Sequence, residues 1–148
     1  MNLLRTTSEH SDFQQLVRQL DAYLSTVNGP DHAFYSQFNH INALRYVVVA
    51  YHEAEPVGCG AFKPYDGTTV EIKRMFVDPA QRGRGVGRAV LAELECWSRE
   101  EGFVDIILET SIKLPAAIHL YEKQGYERTP NYGQYTPMPD SVCFRKKR

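Results

Sequence analysis

The chain has 148 residues, 43% of them hydrophobic and 24% charged, with a formal net charge of −1. That size and balance fit one globular domain over residues 1–148 with a substantial core, and the near-zero charge argues against a nucleic-acid binder, for which a basic balance is expected. Three cysteines and five histidines at scattered positions suggest neither a disulfide framework nor a metal site, and no stretch approaches the ~18 continuous apolar residues of a membrane span.

Residues 3–5 form a short first strand. Ser11 or Asp12 caps a helix whose apolar face is Phe13, Leu16, Val17, Leu20 and Leu24. Asn28-Gly29-Pro30 stops it, and Asp31 caps a shorter helix to about residue 41 carrying Phe34, Tyr35 and Phe38. Residues 44–51, with the β-branched run Val47-Val48-Val49, are a strand. Turns at 53–56 and at Asp66-Gly67 bring in strands 57–65 and 69–77, giving an antiparallel meander. A long helix over 85–101 buries Val86, Val90, Leu94 and Trp97 and ends at Gly102. Residues 104–109 are an apolar strand without alternation, as when both faces are covered. Pro115 opens a helix that closes at Gly125. The stretch 130–140 is a loop, 141–145 the final strand, and Arg145-Lys146-Lys147-Arg148 a solvated tail. Cys59, Cys96 and Cys143 each read as small core residues. Arg5, Glu9 and Asp12 leave no apolar signal segment at the amino terminus, so a reducing cytoplasm is the expected compartment. The fold class is α/β with a mixed sheet: an antiparallel meander, then a parallel strand pair joined by a right-handed helical crossover, flanked by helices.

The turn between strand 69–77 and the long helix carries the most specific signal. Gln81-Arg82-Gly83-Arg84-Gly85-Val86-Gly87-Arg88 places three glycines and three arginines where a helix begins. The first amide hydrogens of a helix lack internal partners, and the peptide dipoles favour an anion there. Glycines let a ligand approach the backbone, and Arg82, Arg84 and Arg88 offer forks suited to phosphate oxygens. A nucleoside-triphosphate loop would need Lys-Ser or Lys-Thr after the last glycine, but Arg88-Ala89 follow Gly87. The dinucleotide spacing G-x-G-x-x-G fails too, since its third glycine would fall on Arg88 or Val90.

What remains, Arg82-x-x-Gly85-x-Gly87 after a strand ending in Val-Asp-Pro, resembles the R/Q-x-x-G-x-G/A pyrophosphate motif of the GNAT superfamily of N-acetyltransferases. Ala117-Ile118-His119-Leu120-Tyr121-Glu122-Lys123-Gln124-Gly125-Tyr126 is similar to that superfamily's second hallmark, A-x-x-L-Y-x-x-x-G-F/Y. The resemblance covers residues 47–126 well and the ends in outline. It implies the acyl-CoA N-acyltransferase fold and acetyl-CoA as cosubstrate, with no metal. It implies a cosubstrate site over Met75, Phe76, Val77, Arg82, Gly83, Arg84, Gly85, Val86, Gly87, Arg88, Thr110, Ala117 and Leu120. Many members have asparagine at the end of the strand where this chain has Thr110-Ser111, whose hydroxyls stand in for it toward the pantetheine amide.

The resemblance also implies that Tyr121 faces the sulfur of coenzyme A and that Glu71 occupies a position some members use for a base. Ala117, Ile118 and Tyr121 equally make a core-facing stripe, and Lys73, two residues along the same strand face, would pair with Glu71 and make it structural. Cys59 as an acyl carrier has no base placed beside it. The acceptor would be an amine of a small molecule or peptide, bordered by His32, Tyr35, Phe38 and His40 and by the loop Tyr132-Gly133-Gln134-Tyr135. The expected reaction is direct attack of the amine in a ternary complex. The alternative is a non-catalytic module that binds or senses acyl-CoA. No nucleic-acid or membrane partner is expected, and a homodimer is compatible with the fold.

Overall fold

The computed structural model describes residues 1–33 and 43–147. Its strands are β1 (Asn2–Thr6), β2 (Tyr46–His52), β3 (Glu55–Pro64), β4 (Thr69–Val77), β5 (Asp105–Ser111), β6 (Glu127–Thr129) and β7 (Ser141–Lys147). They form one mixed sheet in the order β1-β2-β3-β4-β5-β7-β6. Among the described residues the α-helices are α1 (Ser11–Asn28), α2 (Val86–Glu100) and α3 (Pro115–Lys123); Asp31 closes a 3-10 turn, Gly29–Asp31, and most of the shorter helix expected to about residue 41 lies outside the described residues.

The unbroken apolar runs of β2 and β3 follow from having both faces covered. Val47, Val49, Cys59 and Ala61 pack under Phe13, Leu16, Val17 and Leu20 of α1. Val48, Ala50, Val57 and Phe62 turn the other way, toward Val86, Val90, Leu91 and Leu94 of α2. Helix α2 lies unusually close to the sheet because β3 contributes two glycines beneath it. A Cβ on Gly58 would stand 2.6 Å from Cγ1 of Val86, and one on Gly60 would stand 2.5 Å from Sδ of Met75 and 2.9 Å from Cδ1 of Leu94.

Two features of β4 matter for the site. Its register against β3 slips by one residue between Cys59↔Phe76 and Ala61↔Lys73, and Arg74 sits in the slip with a φ of 60°. This is a β-bulge, which bends a strand and re-aims its side chains. Before it, Val70 and Ile72 face α2; after it, Met75 and Val77 do, and Phe76 joins the core under α1. The extra residue therefore puts Lys73 and Arg74, successive in the chain, on the α1 face together. The second feature is that β4 pairs with parallel β5 only from Thr69↔Asp105 to Glu71↔Ile107. Beyond that the strands part, while β5 stays paired with β7 along its whole length.

Several expectations need correcting. The first helix is capped by His10, whose Nδ1 accepts from the Asp12 amide at 3.2 Å, not by Ser11 or Asp12. A three-residue strand, β6, precedes the loop at 130–140. The terminal basic run is not a tail: Arg145 and Lys146 belong to β7, where Arg145 pairs with Asp105 and Lys146 donates to the Gln124 carbonyl at 2.9 Å and meets Glu95 at 3.2 Å. Cys59 and Cys143 are buried, but Cys96 is exposed on α2. Among the described residues, no helix is long and apolar enough to cross a membrane and no acidic, cysteine or histidine group is arranged to hold a metal.

Candidate active site

Asp78 ends β4 by donating its amide to the Val57 carbonyl at 2.9 Å and accepting from the Ala80 amide at 2.9 Å. The chain then turns through Gly83 and Gly85, with φ values of 81° and 79°, conformations that strain any other residue. Nothing lies within 4 Å of a Cβ placed on either, so their missing side chains leave open space beside the backbone. Gly85 is the N-cap of α2 without a side-chain cap, and no acidic residue occupies the first turn. Arg82, Arg84 and Arg88 are exposed around this uncapped end, and Arg82 stacks over Tyr23 of α1 at 5.5 Å. Donors, dipole and cations converge on a position suited to a diphosphate. Gly87 differs from the other two: a Cβ there would meet Cδ2 of Leu120 at 3.2 Å and Cγ2 of Val77 at 3.5 Å. Its missing side chain lets α2 lie against α3 and the end of β4.

Where β4 and β5 part, a cavity opens through the sheet. Leu20, Leu24 and Asn28 of α1 border it on one face, Ala117 and Tyr121 of α3 on the other. Met75, Leu108 and Thr110 line it from the strands, so of the residues expected at the cosubstrate Met75, Thr110 and Ala117 reach the cavity. Phe76, Val77 and Leu120 do not line it; Phe76 is core beneath α1, and the other two stand against Gly87. Val86 is buried under α2 against Gly58.

The polar wall lies on the α1 face: Glu71, Lys73 and Arg74 from β4 and Glu109 from β5. Glu71 is 3% exposed, accepts from the Tyr132 hydroxyl at 2.6 Å and stands 3.9 Å from Nζ of Lys63. Its ion-pair partner is thus Lys63, across on β3, instead of Lys73. Lys73 donates to the Tyr135 hydroxyl at 3.4 Å; burial holds its ammonium below the usual range, opposed by the charge of Glu71.

Glu109 is the residue that sequence reasoning passed over. It accepts from the Ser141 hydroxyl at 2.8 Å, and burial pushes its carboxyl up to about 7, against the pull of that hydrogen bond and of Lys73. One signal was available: a single glutamate inside the apolar run Ile106-Ile107-Leu108-Glu109, where a charge is costly and implies a use. Tyr121 is buried, with its ring against Tyr126 and Phe144 at centroid distances of 5.8 and 6.0 Å. Burial, aided by the charge of Glu109, raises its phenol well above the ordinary value, which keeps it a proton donor at any working pH. Among the acceptor-side expectations, Tyr135 lines the cavity and Tyr132 holds Glu71. His32 is half-buried just past the 3-10 turn Gly29–Asp31 that follows α1, and does not line the cavity. Tyr35, Phe38 and His40 lie outside the described residues.

A family model described as the acetyltransferase (GNAT) family matches residues 13–126. The chain is 34% identical over 140 residues to an IAA acetyltransferase of Azospirillum brasilense, covering 89% of this chain and 88% of that one. It spans about half the length of some other curated N-acetyltransferases that it matches. A crystal structure from Klebsiella pneumoniae, provisionally assigned as an acyl-CoA N-acyltransferase, is similar with a TM-score of 0.83 at 29% identity, over 99% of this chain and 96% of that chain. A GNAT family acetyltransferase from Elizabethkingia anophelis, solved with acetyl-CoA bound, shares the fold at a TM-score of 0.72 and 14% identity, over 99% and 97% of the two chains.

Proposed function

The chain belongs to the GNAT family of acetyltransferases, and from that premise we propose that it moves the acetyl group of acetyl-CoA to a primary amine by direct attack within a ternary complex. The observation that carries this reading is the cavity at the parting of β4 and β5, with Glu109 on one face of the sheet, Tyr121 on the other, and the uncapped glycine-arginine turn at the end of β4. Gly83, Gly85, the first amides of α2 and the three arginines hold the diphosphate. Met75, Thr110 and Ala117 flank the acyl-bearing arm, and the edge of β4 that β5 no longer covers supplies backbone groups to the arm and to the thioester oxygen. When bound, acetyl-CoA supplies an activated carbonyl and a thiolate leaving group.

The amine must lose a proton to attack, and an alkyl amine of pKa about 10.4 is neutral to only about one part in a thousand at pH 7. A carboxylate of ordinary pKa, about 4.3, would take that proton uphill by roughly 8 kcal/mol; one near 7 does so for roughly 5. Glu109 is therefore the better base, either directly or through a water. Glu71, bound by Tyr132 and Lys63, orients the acceptor loop. Tyr121 donates a hydrogen bond to the sulfur as negative charge develops there, without transferring its proton fully. The test is thiol release from acetyl-CoA against a broad panel of amines. Amine-dependent release is expected; tight acetyl-CoA binding with no such release would mark the chain as an acyl-CoA sensing module instead.

A further inference from the structure

Arg74 is the part of the cavity wall that acetyl transfer as described leaves unused. It is 8% exposed and is held on the bulge of β4 in a left-handed conformation that arginine does not favour. Nη2 meets the Asp21 carboxylate of α1 at 3.0 and 3.2 Å, but Nε and Nη1, equally enclosed, have no hydrogen-bond partner among the described residues. Buried donors are nearly always matched, and an orphaned pair on a charged group calls for an explanation. Asp21 does not supply one, since it is 49% exposed and already engaged at the third nitrogen.

The surroundings narrow what would complete the fork. On the α1 side of the cavity, the carboxylates of Glu71 and Glu109 are followed by the cations Lys73 and Arg74. A neutral alkylamine would match only the first pair. A polyamine or aminoglycoside would bring a second positive charge against Arg74. A molecule with an amine and a carboxylate on neighbouring atoms matches both signs. We infer that Arg74 anchors a carboxylate borne by the acceptor beside its amine, so that the acceptor is a free amino acid or a closely similar small amino acid. This rests on the acetyltransferase reading above and gives its substrate class. Arg74 also accounts for the bulge: without the extra residue, the position next to Lys73 would face α2, and no second cation would enter the acceptor half.

The test compares kcat/KM for each of the common L-amino acids with that for its C-terminal amide, which keeps the side chain and amine but removes the carboxylate charge. At least one amino acid should exceed its amide by roughly tenfold to a hundredfold, the range expected for a charged hydrogen-bonded contact, with the difference in KM. Arg74→Met should bring that ratio close to one, and Arg74→Lys, which keeps the charge but not the fork, should leave an intermediate ratio. The wild-type ratio decides the matter even if a variant fails to fold. Equal or better use of amides, or a ratio that survives in Arg74→Met, overturns the assignment while acetyl transfer stands. No amine-dependent thiol release with any acceptor removes both.

Discussion

A carboxylate withdrawn from water is charged only at a cost, and Glu109 carries that cost in the cavity wall. Its folded-state value of about 7 lies above the roughly 4.3 of an unfolded glutamate. The proton it retains on folding therefore stabilises the native state below the unfolded value, and this contribution is lost as pH rises to about 7. Glu109→Gln should accordingly be more stable than the parent by about 1–3 kcal/mol at pH 8 and nearly equal to it at pH 4, as measured by chemical denaturation. The same variant should lose the rise of kcat/KM through pH 7 and retain only a low, flat rate. The groups that set this profile are Glu71, Lys73, Ser141, Tyr121 and Tyr135, each close enough to bias or bond the carboxyl. Tyr121→Phe preserves the packing against Tyr126 and Phe144 and removes one donor. It should lower kcat by about tenfold to a hundredfold with little change in acetyl-CoA KM; parallel losses in both would make it a packing residue.

Helix α2 has two parts, a body that forms the core and an amino end that forms the glycine-arginine turn proposed to hold the diphosphate. Gly58 connects them, because its missing side chain is what lets Val86, the first residue of the helix, settle on β3. A methyl at Gly58 has no easy escape: Val86 is stiff at χ1, and the Phe76 carbonyl lies 3.1 Å away on the other side. Gly58→Ala should therefore cost about 1–3 kcal/mol and raise the acetyl-CoA KM with it, as checked by denaturation and initial rates. Elements of this kind were well announced by the chain. The period of Val86, Val90 and Leu94, the run at 69–77 and the glycine-arginine turn each follow from local chemistry, and the observed elements match those expected to within a few residues. What escaped was set by tertiary contacts. Arginine has no preference for a bulge, so the slip at Arg74 left no local mark; three residues are too few for a strand pattern, which hid β6; and a histidine cap at His10 is outside the usual Ser, Thr, Asp and Asn set. The proposed base, Glu109, escaped for a different reason: its place in an apolar run marked it as costly, but its partner Ser141 is 32 residues further along the chain.

Taken as a whole, the molecule is close to neutral, yet four of its arginines stand at two places of different character. Arg82, Arg84 and Arg88 are exposed, while Arg74 is enclosed. Salt screens the first group far more than the second, given a Debye length of about 10 Å at 0.1 M and about 3 Å at 1 M. The KM for acetyl-CoA should therefore rise severalfold between about 0.05 and 0.5 M salt while kcat holds nearly constant. A kcat that fell in step with KM would mean that salt acts on the reacting groups and not on the turn.

The single surplus residue at position 74 has a consequence for how the two substrates meet. Strand β4 shares its last rung with β5 at Glu71, and it bends just past that parting, where it carries the extra residue. The slot between β4 and β5 makes the sheet a partition with a window: under the proposed mechanism the nucleotide would arrive from one room, the amine from the other, and only the acyl carbon would sit on the sill. Neither visitor would then block the other's doorway, so the order of arrival would be free and each product could leave by the way it came. A chain one residue shorter here could hydrogen-bond β3 to β4 without interruption, and the side chain after Lys73 would turn from the amine's room to the other.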